Sequence, residues 1–177
     1  MEALGPLVGF FTHKVEEKIS FLRQLSQEES LSAPPLSKGH AYHSVHSMLE
    51  AELQRGVVSF TEPLPSGSRL FLRLHRSMRF VMLLLEKLWS EPEERSLVEL
   101  CREAYEEVLA PHHPWLLQRA AQVAFAALPD RSVFLPLLCV RGMKEAEPVM
   151  RTVITVMEEI QRRSQRELES RGMMDLP

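Results

Sequence analysis

The sequence predicts an all-α fold, and three observations support this prediction. Glycine is scarce, with 7 among 177 residues. Runs of alternating β-branched residues, which indicate strands, are missing. Apolar residues instead recur three or four positions apart along nearly the whole chain, which is the spacing of one helix face. A chain of this length fits one domain, expected over residues 1–177, and it buries a core without disulfides or metals.

Two helices are predicted in the first third of the chain. The first runs from about Pro6 to Leu25, because proline suits an early helix position, and the second runs from about His40 to Gln54. The segment 30–39 between them is rich in serine and proline, which is typical of a loop. The apolar stripe expected on the first helix is Val8, Phe11, Val15, Ile19 and Leu22. The apolar face expected on the second helix is Val45, Met48, Leu49 and Leu53.

A long third helix and a fourth helix follow a second break at 61–68. The third is expected from about Ser68 to Trp89 and the fourth from about Pro92 to Ala110. The apolar side expected on the third helix is Leu70, Leu74, Val81 and Leu85. The inward side expected on the fourth helix is Leu97, Leu100, Cys101, Ala104 and Val108.

Prolines and one glycine punctuate the rest of the chain. The segment 111–114 forces a stop, Pro114 can restart a helix in its first turn, and Pro129 ends it. Asp130 can cap a short helix over 132–140. The last helix is expected from about Glu145 to Arg171, with Gly172 as its C-terminal stop. Its expected core face is Val149, Val153, Val156, Met157 and Ile160, with a polar stretch from Gln161 onward.

Charge and targeting signals exclude several classes of protein. The net charge is -3 and the sequence pI is about 6.2, so a general basic field for nucleic acid is absent. The start carries Glu2 and no basic segment before its apolar run, which makes a poor signal peptide. The most apolar stretch, 80–89, is interrupted by Glu86 and Lys87 and is too short to span a bilayer. We therefore expect a cytosolic protein, peripheral at membranes.

The sequence contains no signal for an enzyme, a metal site or a cofactor. No GxSxG, HExxH, P-loop or GxGxxG motif occurs. Cys101 and Cys139 form no CxxC pair, which fits a reducing compartment rather than a disulfide or a zinc site. His40, His43 and His46 recur every third residue, but this spacing does not direct three side chains of a helix to one point, so a solvated helix start is expected. We predict a non-enzymatic protein without metal.

The clearest local anomaly is an arginine-rich helix. Arg69, Arg73, Arg76 and Arg79 occur with no acid between Glu62 and Glu86. Arg69 and Arg73 are neighbours at i,i+4, where like charges repel, and a phosphate between them would relieve the repulsion through charge-assisted contacts. The alternative is a solvated basic face paired with acids of neighbouring helices. Spacing alone leaves both interpretations open.

Three segments carry a resemblance to a known family. The runs SRLFLRLHRSMRF, AYEEVLAPHHPWLLQRAAQVAFAALPDRSVFL and the end MMDLP resemble the glycolipid transfer protein family, and within it the ceramide-1-phosphate transfer branch. The resemblance covers essentially the whole chain. It implies an all-α two-layer helical sandwich that encloses an apolar lipid pocket. It also implies a protein that moves sphingolipids between membranes without chemistry.

Residue roles follow from this resemblance position by position. Lys18 matches a lysine on the head-group helix, and Arg69 and Arg73 match two arginines that contact phosphate. His113 matches the histidine that holds the ceramide amide. Trp115 resembles the tryptophan that touches the membrane. The expected partners are therefore an anionic sphingolipid and, transiently, a membrane surface, with no obligate protein partner.

Two features depart from the family pattern. Lys14 stands where the family has an aspartate that accepts from the ceramide amide N–H, and an ammonium has donors only. Glu16 and Glu17 are expected to point elsewhere on the helix. The chain also begins inside the family pattern, so the family's first helix, which helps to wall the pocket, is expected to be missing. An exposed apolar patch would follow from that.

The leading interpretation is intermembrane transfer of a phosphorylated sphingolipid, most simply ceramide 1-phosphate. A second interpretation of the same kind is a sensor of another anionic lipid with impaired transfer. A third, of a different kind, is a helical protein–protein adaptor whose basic helix meets an acidic partner. A lipid that copurifies with the protein would separate the first two from the third.

Overall fold

The computed structural model describes residues 5–32, 41–137 and 143–177. Within these ranges every regular element is a helix, which confirms the predicted all-α fold. The helices are α1 Gly5–Ser32, α2 Val45–Gln54, α3 Gly67–Ser90, α4 Leu97–Val108, α5 Trp115–Phe125, α6 Arg131–Leu137 and α7 Met143–Glu169. Short 3-10 helices at Ala41–His43 and Ala110–His112 precede α2 and α5.

The chain divides into two compact units, each with its own core. Unit 1 comprises Met1–His13 and Arg76–Gln161, and unit 2 comprises Lys14–His75 and Arg162–Pro177. The main buried cluster of unit 1 is Phe80, Cys101, Ala104, Tyr105, Val108, Leu109 and Phe125. A second cluster of unit 1 is Leu88, Leu97, Leu100 and Phe134. The cluster of unit 2 is Met48, Leu49, Val58, Leu72, Leu168, Met173 and Leu176.

Local sequence signals explain where several helices begin and end. Ser44 and Ser96 each form a capping box with the third residue of the helix that follows, so α2 and α4 begin at Val45 and Leu97. Pro114 is the N-cap of α5, one position before the first helical turn in which it was predicted. Gly172 has a φ of 66°, and the N–H groups of residues 172 and 173 satisfy carbonyls of the last turn of α7.

Several predicted boundaries differ from those in the structure, in one case by seven residues. The helix α1 continues to Ser32 instead of ending near Leu25. The helix α4 begins at Leu97 rather than Pro92, because Ser96 caps it there. The helix α5 ends at Phe125, before Pro129. Residues 33–40, with His40, and 138–142, with Cys139, lie outside the described residues.

Three predicted apolar faces are wrong in part or in full. On α2, Met48 and Leu49 are buried, but Val45 and Leu53 are exposed. On α3, the predicted side is only half-buried, and the buried positions are instead Ser68, Arg69, Leu72, His75, Phe80 and Leu88. On α7, Val149 and Val156 are more than half exposed, and the buried residues are Gln161, Ser164 and Leu168. Periodicity identifies an apolar stripe along a helix, but it does not show which face of the helix packs against the core.

The structure also tests for membrane-spanning helices and for clusters of possible metal ligands. No helix in the described ranges combines the length and apolar character that crossing a bilayer requires. The same ranges contain no group of three or more His, Cys, Asp or Glu side chains that could hold a metal ion. The side chain of His43 contacts Ser47, and that of His46 contacts Glu167 and Arg171. These two histidines therefore belong to surface polar networks of unit 2.

Candidate functional site

The start of α3 is fixed by a buried carboxylate of unit 2. Glu52, only 3% exposed, accepts hydrogen bonds from the backbone N–H of Gly67 at 2.7 Å and of Ser68 at 2.8 Å. The Ser68 hydroxyl donates to the same carboxylate at 2.6 Å, and the Tyr42 hydroxyl also donates to it. Glu52 therefore satisfies two of the N–H groups that a helix leaves unpaired at its first turn.

The next backbone N–H of α3, that of Arg69, donates to the Ser66 hydroxyl at 3.1 Å. The first three N–H groups of the helix are thus already paired within the chain. An anion that approaches this end of α3 finds no backbone donors there, so it has to be bound by side chains. The cationic side chains nearest to this end of α3 in the sequence are those of Arg69 and Arg73.

The Arg69 guanidinium is buried and poorly compensated. The residue is 8% exposed, its Nη1 donates to the Leu64 carbonyl at a long 3.4 Å, and its Nε has no hydrogen-bond partner among the described residues. No carboxylate forms an ion pair with it in the described ranges. Burial and the nearby Arg73 lower the pKa of Arg69. A buried charge of this kind is costly unless a ligand pairs with it.

Lys18 on α1 adds a third cation to this part of unit 2. Burial, followed by the nearby charges of Arg73 and Lys14, lowers the pKa of Lys18, and Glu17 opposes the shift. Arg73 thus acts electrostatically on both Lys18 and Arg69. We refer to these three residues as the cationic cluster.

Lys14 lies one turn before Lys18 on α1. The Lys18 Nζ donates to the Lys14 carbonyl at 2.9 Å. The Lys14 Nζ forms an ion pair with Glu17 at 2.6 Å. The expectation that Glu17 points elsewhere on the helix is therefore wrong, since a spacing of three residues brings it within reach of Lys14.

His113 lies in unit 1, at the end of the 3-10 helix between α4 and α5. Its Nδ1 is 2.8 Å from the hydroxyl of Tyr105, which is buried on α4. The Gln118 side chain donates to the carbonyls of Ala110 at 2.9 Å and His113 at 2.8 Å. The backbone around His113 is therefore held by a side chain of α5, and its ring by a side chain of α4.

Trp115, also in unit 1, is the first residue of α5 and is 68% exposed. It is therefore not packed in a core. Its neighbour Leu116 is 73% exposed, and Leu117 is exposed as well. The guanidinium of Arg119 lies over the indole ring, 5.6 Å from its centroid. The start of α5 thus presents apolar side chains beside one cation.

Comparison with known proteins identifies the family. The family model described as glycolipid transfer protein (GLTP) matches residues 1–140. The chain belongs to this family. It is 32% identical to the ceramide-1-phosphate transfer protein of Xenopus laevis over all of this chain and 80% of that protein. It is 31% identical to the human protein of the same name, with the same coverage.

Solved structures of glycolipid transfer protein family members share the fold. The crystal structure of human ceramide-1-phosphate transfer protein in complex with 12:0 ceramide-1-phosphate matches with a TM-score of 0.86 and 30% identity. The match covers 99% of this chain and 82% of that one. The structure of the fungal glycolipid transfer protein HET-C2 matches with a TM-score of 0.68 at 20% identity, which supports the fold. The all-α fold implied by the resemblance is thereby confirmed.

Three polar residues next to the predicted family positions escaped the sequence analysis. Glu52 is a carboxylate on a short helix, and its partners lie 15 and 16 residues further along the chain. Gln118 has no distinctive spacing. Of the three, Tyr105 alone could have been identified from the sequence. It follows the predicted inward position Ala104 and lies three residues before the inward position Val108. A polar group in an apolar stripe requires a hydrogen-bond partner.

Proposed function

We propose that this protein binds a phosphorylated sphingolipid, most simply ceramide 1-phosphate, and transfers it between membranes. The observation that carries the proposal is the cationic cluster, above all the buried Arg69, which has no carboxylate partner among the described residues. A phosphate monoester carries about -1.5 to -2 charges near neutral pH and offers several strong acceptor oxygens. The proposal is supported by the similarity to ceramide-1-phosphate transfer proteins.

The remaining predicted residues receive roles within this proposal. His113 donates to a carbonyl oxygen of the lipid, and Trp115 rests at the membrane interface, where an indole has an apolar body and a hydrated N–H. Lys14 lies beside the cationic cluster and weakens the selection for a sphingoid amide, because an ammonium cannot accept from an amide N–H. Burial of the lipid's methylene groups supplies affinity, about 0.8 kcal/mol for each.

Transfer requires no bond to be made or broken. We therefore propose a non-enzymatic protein of the cytosol that needs no metal or cofactor and touches membranes transiently. Its affinity for the lipid and its selection among lipids have separate sources. The acyl chains contribute most of the binding free energy, and the charge-assisted contacts of the head group distinguish phosphorylated from neutral lipids.

The test compares vesicle-to-vesicle transfer of ceramide 1-phosphate with transfer of neutral ceramide. We expect the phosphorylated lipid alone to be transferred well. Arg73→Leu should lower affinity for it by about 10- to 100-fold, since a charge-assisted contact is worth about 1.5–3 kcal/mol. Arg79→Leu is the matched control, because Arg79, like Arg73, is an exposed arginine on the same helix but does not belong to the cationic cluster. Equal transfer of both lipids by the unmodified protein contradicts the proposal.

Native mass spectrometry of the purified protein separates the other functions. A phosphorylated lipid that copurifies, together with transfer activity, supports the proposal. A bound anionic lipid without transfer indicates a sensor. A protein that purifies without lipid and takes up none from vesicles indicates the adaptor interpretation.

A further inference from the structure

The contact between Tyr105 and His113 bears on the position of the imidazole ring and on which ring nitrogen carries the proton. The Tyr105 hydroxyl lies 2.8 Å from His113 Nδ1, and the two rings are tilted by 46° with their centroids 5.6 Å apart. The ring of Phe125 packs edge-on against Tyr105 at 5.3 Å. Tyr105 is 3% exposed, so water does not compete effectively for its hydroxyl.

The direction of this hydrogen bond follows from the needs of the hydroxyl group. A phenol can donate or accept, and so can a neutral imidazole nitrogen, depending on the tautomer. If Nδ1–H donated to Tyr105, the phenol hydrogen would need another acceptor. Among the described residues, His113 Nδ1 is the one hydrogen-bond partner that the Tyr105 hydroxyl has. A buried O–H without an acceptor is costly, so Tyr105 donates and Nδ1 accepts.

Two further features describe the surroundings of this contact. The phenol is protonated at neutral pH, since its ordinary pKa is about 10 and burial raises the pKa of Tyr105 further. The Gln118 side chain holds the carbonyls of Ala110 and His113. The backbone at His113 therefore has its own support, and Tyr105 contacts its ring at Nδ1.

We propose that Tyr105 is a positioning residue that fixes neutral His113 in the tautomer with its proton on Nε2. His113 then meets a ligand as a hydrogen-bond donor, and the group that it selects is an acceptor such as an amide or ester carbonyl. The opposite tautomer would make Nε2 an acceptor and would select an N–H group. This inference rests on the proposed function for the identity of the ligand, but the tautomer itself is a property of the ligand-free protein.

The first test is a measurement of the tautomer by NMR. Protonated and unprotonated imidazole nitrogens resonate in separate 15N ranges, so a long-range 1H–15N spectrum assigns the proton. The spectrum is recorded at about pH 8, above the ordinary histidine pKa of about 6.5. The chain has 7 histidines, and the signals of His113 are those that disappear in His113→Gln. We expect an unprotonated Nδ1 and a protonated Nε2.

The tyrosine variants provide the matched comparison. In Tyr105→Phe both His113 nitrogen signals should move toward averaged values, because the phenol no longer holds one tautomer. In Tyr42→Phe, which removes a half-buried hydroxyl donor elsewhere in the protein, the His113 signals should stay unchanged. A proton on Nδ1 in the unmodified protein overturns the proposal. So does a Tyr105→Phe spectrum in which His113 is unaltered.

The second test is a double-mutant cycle on affinity for ceramide 1-phosphate. Tyr105→Phe alone should weaken binding by about two- to twelvefold, the range of one neutral hydrogen bond. In a His113→Ala background the same substitution should have no further effect. An equal loss in both backgrounds would mean that Tyr105 acts only through packing, which contradicts the positioning role. If the unmodified protein binds no phosphorylated lipid, the proposed function fails, while the NMR result still decides the tautomer.

Discussion

Arg69 and Arg73 lie one turn apart on α3, and Arg73 adds to the effect of burial in lowering the pKa of Arg69. Both effects make the charge of Arg69 unfavourable in the ligand-free protein. Such an unfavourable charge is expected where it contributes to the binding of a ligand. The stability of the free protein and the affinity for an anion are therefore expected to oppose each other at Arg69.

Arg69→Met should stabilise the ligand-free protein while it weakens binding of phosphorylated lipid. Methionine keeps an unbranched side chain of similar length and removes the buried charge, so we expect a gain of about 0.5–2 kcal/mol in the free energy of unfolding. Urea denaturation measures this gain, and vesicle transfer measures the loss. A stability equal to or lower than that of the unmodified protein would show that Arg69 is compensated in the free state.

Gly67→Ala should destabilise unit 2 and disturb the start of α3. A Cβ at this position would lie 2.7 Å from Met48 Sδ and 3.0 Å from both Glu52 Oε1 and Tyr42 Cε1. The carboxylate cap would have to shift, and a loss of about 1–3 kcal/mol is typical of an overpacked site. Thermal denaturation measures the effect.

Gly9→Ala is the control for the glycine-to-alanine change itself. Gly9 lies on α1, and a Cβ there meets no atom within 4 Å. Alanine is favoured over glycine in a helix by about 1 kcal/mol, so this variant should be as stable as the parent or more so. Equal effects at both positions would contradict the close contact at Gly67.

The helix α4 shows how far the sequence alone could go. All five residues that periodicity placed inward, namely Leu97, Leu100, Cys101, Ala104 and Val108, are buried. On α7 the same method chose Val149, Val153, Val156, Met157 and Ile160, of which all but the half-buried Met157 are exposed. The pattern is apolar in both helices, but burial also depends on which surface the rest of the chain offers. That information lies in long-range packing and not in the local period.

The candidate site likewise has one part that the sequence predicts and another part that it does not. Arg69 and Arg73 were predictable as neighbours, because the i,i+4 relation is a property of the helix itself. The contacts that hold the site were not predictable. Glu52 reaches residues 15 and 16 positions away, and Tyr105 reaches His113 across the turn between α4 and α5. Such contacts depend on how segments meet in space, and a single sequence does not encode them in its spacing.

Trp115 should move into a less polar environment when the protein meets vesicles. The chain has 2 tryptophans, so Trp89→Phe leaves Trp115 as the sole reporter. Since Trp115 is 68% exposed in the free protein, its emission should shift to the blue on addition of vesicles. The converse variant, Trp115→Phe, should show no shift. Vesicle binding by sedimentation without a change in Trp115 emission would contradict a membrane contact at this residue.

Glu103 should make the stability of unit 1 depend on pH. Hydrogen bonds from Arg95 and Lys87 lower the pKa of Glu103 from 4.5 to about 2. A carboxyl group whose pKa is lower in the folded state stabilises the fold at pH values above its unfolded pKa. This contribution declines as the pH falls below 4.5 and is lost once the pH passes below about 2.

The measurement is the urea midpoint of the parent and of Glu103→Gln, followed from about pH 7 down to about pH 2. The parent should be more stable near neutral pH, and the difference should narrow over the acid range. Glu106→Gln on the same helix is the control, since Glu106 is exposed. A constant difference at every pH would mean that the interaction does not depend on the charge of Glu103.

Lys14→Asp should raise the preference for ceramide 1-phosphate over phosphatidic acid. Lys14 precedes Lys18 by one turn, and its ammonium pairs with Glu17 at 2.6 Å. On the proposed function, Lys14 and the cationic cluster would place four formal positive charges near one head group, more than a phosphate of about -1.5 to -2 requires. An aspartate would add the acceptor that a sphingoid N–H needs and that phosphatidic acid cannot use.

The comparison measures transfer of both lipids by the parent, by Lys14→Asp and by Glu17→Gln. Glu17→Gln breaks the ion pair to Lys14 without supplying a carboxylate to the lipid, so the preference should stay near that of the parent. The parent itself should accept phosphatidic acid, because its head group is selected by charge. Rejection of phosphatidic acid by the parent, or an unchanged ratio in Lys14→Asp, would mean that Lys14 does not contact the head group. The ion pair with Glu17 would then be a surface contact, worth less than about 1 kcal/mol.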